Sequence, residues 1–275
     1  MTQLIEFKNH RQEILRGLID KANSKIGIIL IHGFERTTIE GKFKNIVDKL
    51  RGWVNLFRFD FSGHGLSDGR FDDITVKKLS KELEKAVLIF KRHCPRVKTI
   101  ILVSHSFGCC VVLKFMAGKK KSIINKVVFL APAFNQKELL KFWFVVSKMK
   151  RKKIKWHNYG RYFSKKDFDK ETKKPRIMTK SHFISSNYVL ENENTDYQIL
   201  LNDLMIDSQS ILIVHGDSDD RVPFESNDNL PKDIEMIKVK KGDHDLEKVD
   251  SVVQYLDEVN QFIIPCQDHG FSRRS

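Results

Sequence analysis

Ser106 stands between small residues at the junction of two patterns, and that placement suits a nucleophile. The run Thr99 to Val103 (TIILV) is apolar or β-branched and reads as a buried parallel strand, and Phe107 to Met116 follows with the period of a helix. A residue on the turn between them stands proud of the sheet and faces the free N–H groups at the positive end of the helix. Such a turn is crowded, and Ser104 and Gly108 supply small neighbours two residues to either side. A serine hydroxyl is a poor nucleophile at neutral pH. It needs a histidine to take its proton and a carboxylate to hold that histidine in the right tautomer.

Two later segments offer those partners. Ser210 to Asp217 (SILIVHGD) is a second buried-strand pattern that runs into the loop SDDRVP, with Asp219 at its tip and the helix-start signal Val222-Pro223 at its end. Ile234 to Lys240 (IEMIKVK) reads as a further strand, and the loop KGDHD after it carries His244. Asp217 and Asp220 compete with Asp219 for the carboxylate role, Asp217 as a brace for the turn and Asp220 as a solvated side chain. Cys109 and Cys110 fall on the first helical turn rather than the sharp one, where a thiol behaves as a small buried hydrophobe. No His or Cys pair has metal-ligand spacing, and Gly63 and Gly65 are not continued into a phosphate-binding loop.

The chain order Ser, Asp, His is that of the α/β-hydrolases, and the chain resembles that family over most of residues 5–265. Further support comes from GIILIHGFE at Gly27 to Glu35, which resembles the strand and loop that donate to an oxyanion hole, and from RFDFSGHGLSDG at Arg58 to Gly69, which resembles the next strand and turn. The strict elbow pattern is G-x-S-x-G. Here Ser104 replaces the first glycine, and Cys109 stands where the family commonly has another small residue. The motif combination looks nearest to cinnamoyl or feruloyl esterase-like enzymes and to the monoacylglycerol lipase and serine aminopeptidase branch.

The resemblance implies one α/β domain over residues 1–275, with a mostly parallel, doubly wound sheet of about eight strands and a helical cap inserted at about residues 135–208. It implies Ser106 as nucleophile, His244 as base, Asp219 as the orienting carboxylate by its spacing from His215-Gly216, and the backbone N–H groups of Phe34 and Phe107 as oxyanion donors. His32, His64, His105 and His215 then take structural roles, Asp60 bonds loop backbone, and no cofactor is needed. The expected substrate is a small-molecule carboxylic ester with a small to medium apolar or aromatic acyl group. A monoacylglycerol lipase, thioesterase or serine peptidase, and a catalytically silent binding protein on the same fold, are the alternatives.

The strand and helix patterns around these residues follow the same plan. Residues 3–9 and 12–20 read as an opening hairpin, and 26–31 and 54–60 as central strands, with 42–51 as the helix between them. Val76 to His93 reads as a long amphipathic helix, Lys126 to Phe134 as a strand, and 250–264 as the closing helix. The tail 266–275 has no periodicity and is expected to be disordered.

Net charge is +14, from 49 Lys and Arg against 35 Asp and Glu, and lysine is densest between Lys148 and Lys180, inside the expected cap. Aromatics from Phe142 to Phe183 interleave with those lysines. No nucleic-acid-binding pattern accompanies them, so the expectation is a lid with aromatics turned to the pocket and lysines to water. Peripheral contact of the basic cap with anionic membrane, or with an anionic substrate, is the alternative. The polar amino terminus lacks the apolar stretch of a signal peptide, and four cysteines form no disulfide framework, which together point to a reducing cytoplasm.

Overall fold

The computed structural model describes residues 2–117, 123–149, 153–179, 182–204 and 206–264. The tail expected at 266–275 lies outside those residues. The chain opens with strands β1 (Thr2–Lys8) and β2 (Ile14–Asp20), then β3 (Ile26–Ile31), helix α1 (Gly41–Leu50) and β4 (Asn55–Phe59). Helix α2 (Val76–His93), β5 (Thr99–His105), α3 (Phe107–Ala117) and β6 (Ile124–Leu130) follow. Between β6 and the next long strand lie α4 (Gln136–Lys148), α5 (Lys165–Thr172), β7 (Arg176–Met178), β8 (Phe183–Ser185), α6 (Ser186–Glu193) and α7 (Tyr197–Asn202). The chain then closes through β9 (Ile211–Gly216), β10 (Glu235–Val239) and α8 (Val249–Ile263).

Eight strands form one sheet in the order β1-β2-β4-β3-β5-β6-β9-β10. Only the pairings of β2 are antiparallel; the rest are parallel. This is the mostly parallel sheet that the resemblance implied. Both faces are covered, so the central strands read as continuous apolar runs. Their side chains sort strictly by parity. Ile29, Ile31, Leu102, Phe129 and Ile213 pack under α2 and α3, and Ile28, Leu30, Val103, Val128 and Val214 pack under α1 and α8. A large apolar side chain fully buried in this way contributes about 1.5–3 kcal/mol relative to exposure. Helix α3 is apolar on every side because it is covered by the sheet, by α2 and by α7.

Two sequence expectations shift. The strand expected at Lys126 to Phe134 ends at Leu130, because Ala131 turns with φ 45° and Pro132 lacks an N–H to continue the ladder. The expected helical insertion also holds the β7–β8 hairpin, whose three-residue strands are too short to register as a period. No helix among the described residues is long and apolar enough to cross a membrane.

Candidate active site

The carboxyl ends of β5, β9 and β10 bring Ser106, Asp219 and His244 to one place, as a doubly wound sheet does for its loops. Ser106 carries φ 54°, a left-handed conformation that costs a non-glycine residue about 1–2 kcal/mol. Tertiary contacts hold it there. Its N–H donates to the Leu130 carbonyl at 2.9 Å, and its own carbonyl accepts from Cys109 N–H at 3.0 Å. His244 Nδ1 lies 2.7 Å from Asp219 Oδ2, and His244 Nε2 lies 2.9 Å from Ser106 Oγ. A carboxylate only accepts, so the proton sits on Nδ1, and Nε2 is left to accept from the serine hydroxyl.

Asp219 is buried, yet its four acceptor positions are filled. Oδ1 accepts from the N–H groups of Arg221 at 2.9 Å and Val222 at 2.8 Å, and Oδ2 takes His215 Nε2 at 3.1 Å in addition to His244. Burial alone would raise the Asp219 pKa, but the hydrogen bonds from His215 and His244 outweigh it and hold the carboxyl well below its usual range. The rivals lie elsewhere. Asp217 accepts from Ser218 Oγ and Lys241 N–H, bracing the turn, and Asp220 is exposed. Asp60 takes the N–H groups of Thr38 and Leu66, as its loop role required.

The remaining histidines of the His-Gly turns and of the elbow are held in hydrogen bonds to the loops around them. His32 is driven down to about 4 by burial; it donates from Nδ1 to the Gly33 carbonyl and accepts Phe61 N–H at Nε2. His64, driven down to about 3 by burial, contacts the Ser62 carbonyl through Nδ1. His105 donates from Nε2 to the His244 carbonyl at 2.9 Å, so it anchors the loop that carries His244. His215 holds Asn227 through Nδ1 while its other nitrogen faces Asp219 and the Val222 carbonyl. Sequence reasoning gave His215 only a turn role; its contact with the carboxylate comes from strand register, which no spacing shows.

The two departures from the elbow pattern meet each other. Ser104 Oγ donates to Cys109 Sγ at 3.3 Å, and Cys109 Sγ lies 3.8 Å from the same Leu130 carbonyl that holds the Ser106 N–H. A hydroxyl in place of glycine is thereby satisfied by the thiol opposite. Burial pushes both Cys109 and Cys110 thiols well up, so neither is a thiolate nucleophile at neutral pH.

Phe34 and Phe107 bracket the serine. A Cβ on Gly33 would lie 3.0 Å from Ser106 Cβ, which places the Phe34 loop directly against the elbow. Neither the Phe34 nor the Phe107 amide has a partner among the described residues, so both remain open to an oxyanion. Their rings pack edge to face at 5.9 Å, and both contact Tyr188 of α6, at 5.5 and 5.3 Å between centroids. Tyr188 was not singled out in the sequence. Conversely, the aromatics expected to face the pocket mostly pack on one another, Phe142 with Trp156 and Tyr159, and Phe144 with Phe163 and Phe168. Ser106 is 7% and His244 6% exposed, so the reacting atoms are shielded from bulk water. A separate recess of about 570 Å³, lined by Leu201, Leu230 and Ile234 among others, lies beside the amino ends of β9 and β10, away from the serine.

A network of charges fastens the three site loops together. Asp245, next to His244, pairs with Arg36 at 2.5 Å and Arg221 at 3.3 Å, which sit two residues beyond Phe34 and Asp219. Elbow packing is tightest at Gly108, where an added Cβ would come within 2.4 Å of the His32 carbonyl. Gly108→Ala should therefore destabilise the fold by about 1–3 kcal/mol, read as a fall in Tm by circular dichroism. An unchanged Tm would mean that α3 does not press on the His32 loop.

Residues 22–236 match the family described as "Serine aminopeptidase, S33". The probable lysophospholipases BODYGUARD 3 and BODYGUARD 1 of Arabidopsis thaliana are 28% identical over 131 residues and 30% identical over 111 residues. Those matches cover 46% and 39% of the chain but 25% and 23% of the two plant proteins, so the chain spans about a quarter of the length of the curated relatives it matches. Est1E from Butyrivibrio proteoclasticus, solved with ferulic acid bound, superposes with a TM-score of 0.73 at 22% identity, over 94% of this chain and 97% of that one, a likeness of fold. With this sheet order and the family match over most of its length, the chain belongs to the serine aminopeptidase, S33 family of α/β-hydrolases.

Proposed function

We propose that the protein is a serine hydrolase that cleaves carboxylic esters with small to medium apolar or aromatic acyl groups. The observation that carries this reading is the hydrogen-bonded line from Ser106 Oγ through His244 to Asp219. Ser106 attacks the carbonyl carbon as His244 Nε2 takes its proton, and the alkoxide that forms on the substrate is held by the amides of Phe34 and Phe107. Each such donor contributes about 3 kcal/mol to the transition state. The imidazolium protonates the leaving alcohol, and water activated by the regenerated imidazole then frees the acid. No step needs a cofactor.

The apolar preference rests on the rings of Phe34, Phe71, Phe107 and Tyr188 around the serine, with Phe34 and Phe71 5.0 Å apart. A second reading, hydrolysis of a single-chain phospholipid or monoacylglycerol ester, is favoured by the exposed lysines of the inserted segment and by what the plant relatives are named for. A p-nitrophenyl ester chain-length series run beside a lysophospholipid separates the two. Highest kcat/KM on short or aromatic acyl esters is expected; preference for the lysophospholipid would replace the first reading with the second, and no turnover of any ester would leave a silent binding protein.

A further inference from the structure

The β7–β8 hairpin has two unlike faces. Register pairs Met178 with Phe183 and Arg176 with Ser185, so these four share one face. Ile177 and Ile184 point the other way, into the core. The outer face is apolar at an exposed position: Met178 is 76% and Phe183 43% exposed, and the Arg176 guanidinium lies over the Phe183 ring at 4.6 Å. Leading into the hairpin, Lys166, Lys170 and Lys173 are exposed, with no carboxylate at ion-pair distance among the described residues.

The same hairpin is fastened to the site. Thr179 Oγ1 donates to Glu35 Oε1 at 2.7 Å, and His182 Nδ1 lies 3.2 Å from the same oxygen, one residue beyond Phe34. The His182 ring also packs on Phe71 at 4.5 Å. An exposed methionine and phenylalanine, preceded in the chain by a helix with exposed lysines, suit a surface that is apolar within and anionic at its boundary. Apolar side chains enter the acyl region while lysines meet the phosphates. Nucleic acid would satisfy the lysines and leave Met178 in water.

We propose that the outer face of the β7–β8 hairpin docks on an anionic phospholipid surface, with Met178 and Phe183 inserted and Lys166, Lys170 and Lys173 at the headgroups, while Arg176 stays paired with Asp72 at 3.1 Å. The hairpin's hold on Glu35 then sets the mouth of the Ser106 site against that surface. The biological use of this docking rests on the hydrolase reading, whereas the docking itself does not.

The test is co-sedimentation of the full chain with phosphatidylcholine vesicles and with vesicles enriched in phosphatidylglycerol. Wild type should bind the anionic vesicles and not the neutral ones, less so as salt rises. Met178→Asp/Phe183→Asp should weaken that partition roughly tenfold or more, and so should Lys166→Glu/Lys170→Glu/Lys173→Glu, while both variants keep wild-type hydrolysis of a soluble short-chain ester. No binding by wild type, binding unchanged in both variants, or preference for single-stranded RNA over the anionic vesicles would overturn the proposal. Fluorophosphonate labelling reports separately on the hydrolase reading: vesicle binding without labelling leaves the docking surface standing and removes the hydrolase.

Discussion

Ser106→Ala should abolish covalent labelling by a fluorophosphonate and lower kcat on p-nitrophenyl esters by roughly six orders of magnitude, to the level left by binding and the oxyanion donors. The size follows from what is removed. No other hydroxyl or thiol is hydrogen-bonded to His244 among the described residues, and the two nearest thiols, Cys109 and Cys110, are buried and held protonated. The loss should be one of chemistry and not of fold, because alanine bears the same left-handed φ of 54° as serine and leaves the backbone bonds to Leu130 and Cys109 in place. Ser106→Gly provides the control. It removes the same oxygen but relieves the strained backbone, so it should be as inactive as alanine and about 1 kcal/mol more stable. Residual labelling of the alanine variant would show that another nucleophile reacts, and a glycine variant less stable than alanine would show that the turn is not strained.

The strand and helix plan was legible because both faces of the sheet are covered, so each central strand appears in the sequence as an apolar run, TIILV or ILIV, broken by a polar loop. Helix α2 reads over the same residues, Val76–His93, in sequence and structure, because one stripe of it is buried and the exposed positions are mostly lysine and arginine. The convergence of Ser106, Asp219 and His244 could be expected from chain order and loop position, since all three follow parallel strands whose carboxyl ends share one edge. The inserted segment was not legible in the same way. Its aromatics satisfy one another locally, so composition could not say which would pack beside the elbow, and Tyr188 meets the rings of Phe34 and Phe107 only because α6 follows a hairpin of two three-residue strands. The Asp245 bridge between Arg36 and Arg221 joins positions 209 and 24 residues away; no local pattern encodes it.

Asp219→Asn should cost about 10⁴ in kcat with little change in KM, and the reason is the number of donors around this carboxylate. An amide offers one acceptor oxygen and one donor nitrogen to a site built from donors only. If its NH₂ group faces the imidazoles, it meets the N–H of His244 at the Nδ1 position and that of His215 at Nε2. His244 must then take the other tautomer, with its proton on Nε2 aimed at Ser106, and can no longer accept from the hydroxyl. If the NH₂ group faces the loop instead, it opposes the backbone N–H groups of Arg221 and Val222, two donors that would be left without an acceptor. That orientation costs about 1–3 kcal/mol for each unsatisfied buried donor. It would loosen the Asp219 loop and lower Tm while leaving part of the activity. The two orientations therefore have different signatures, a low kcat with an unchanged Tm or a smaller loss of kcat with a lower Tm. Combining Asp219→Asn with Ser106→Ala should add nothing to the serine defect, since the carboxylate acts only through His244. A single variant that retained kcat within tenfold and the wild-type Tm would remove Asp219 from the mechanism.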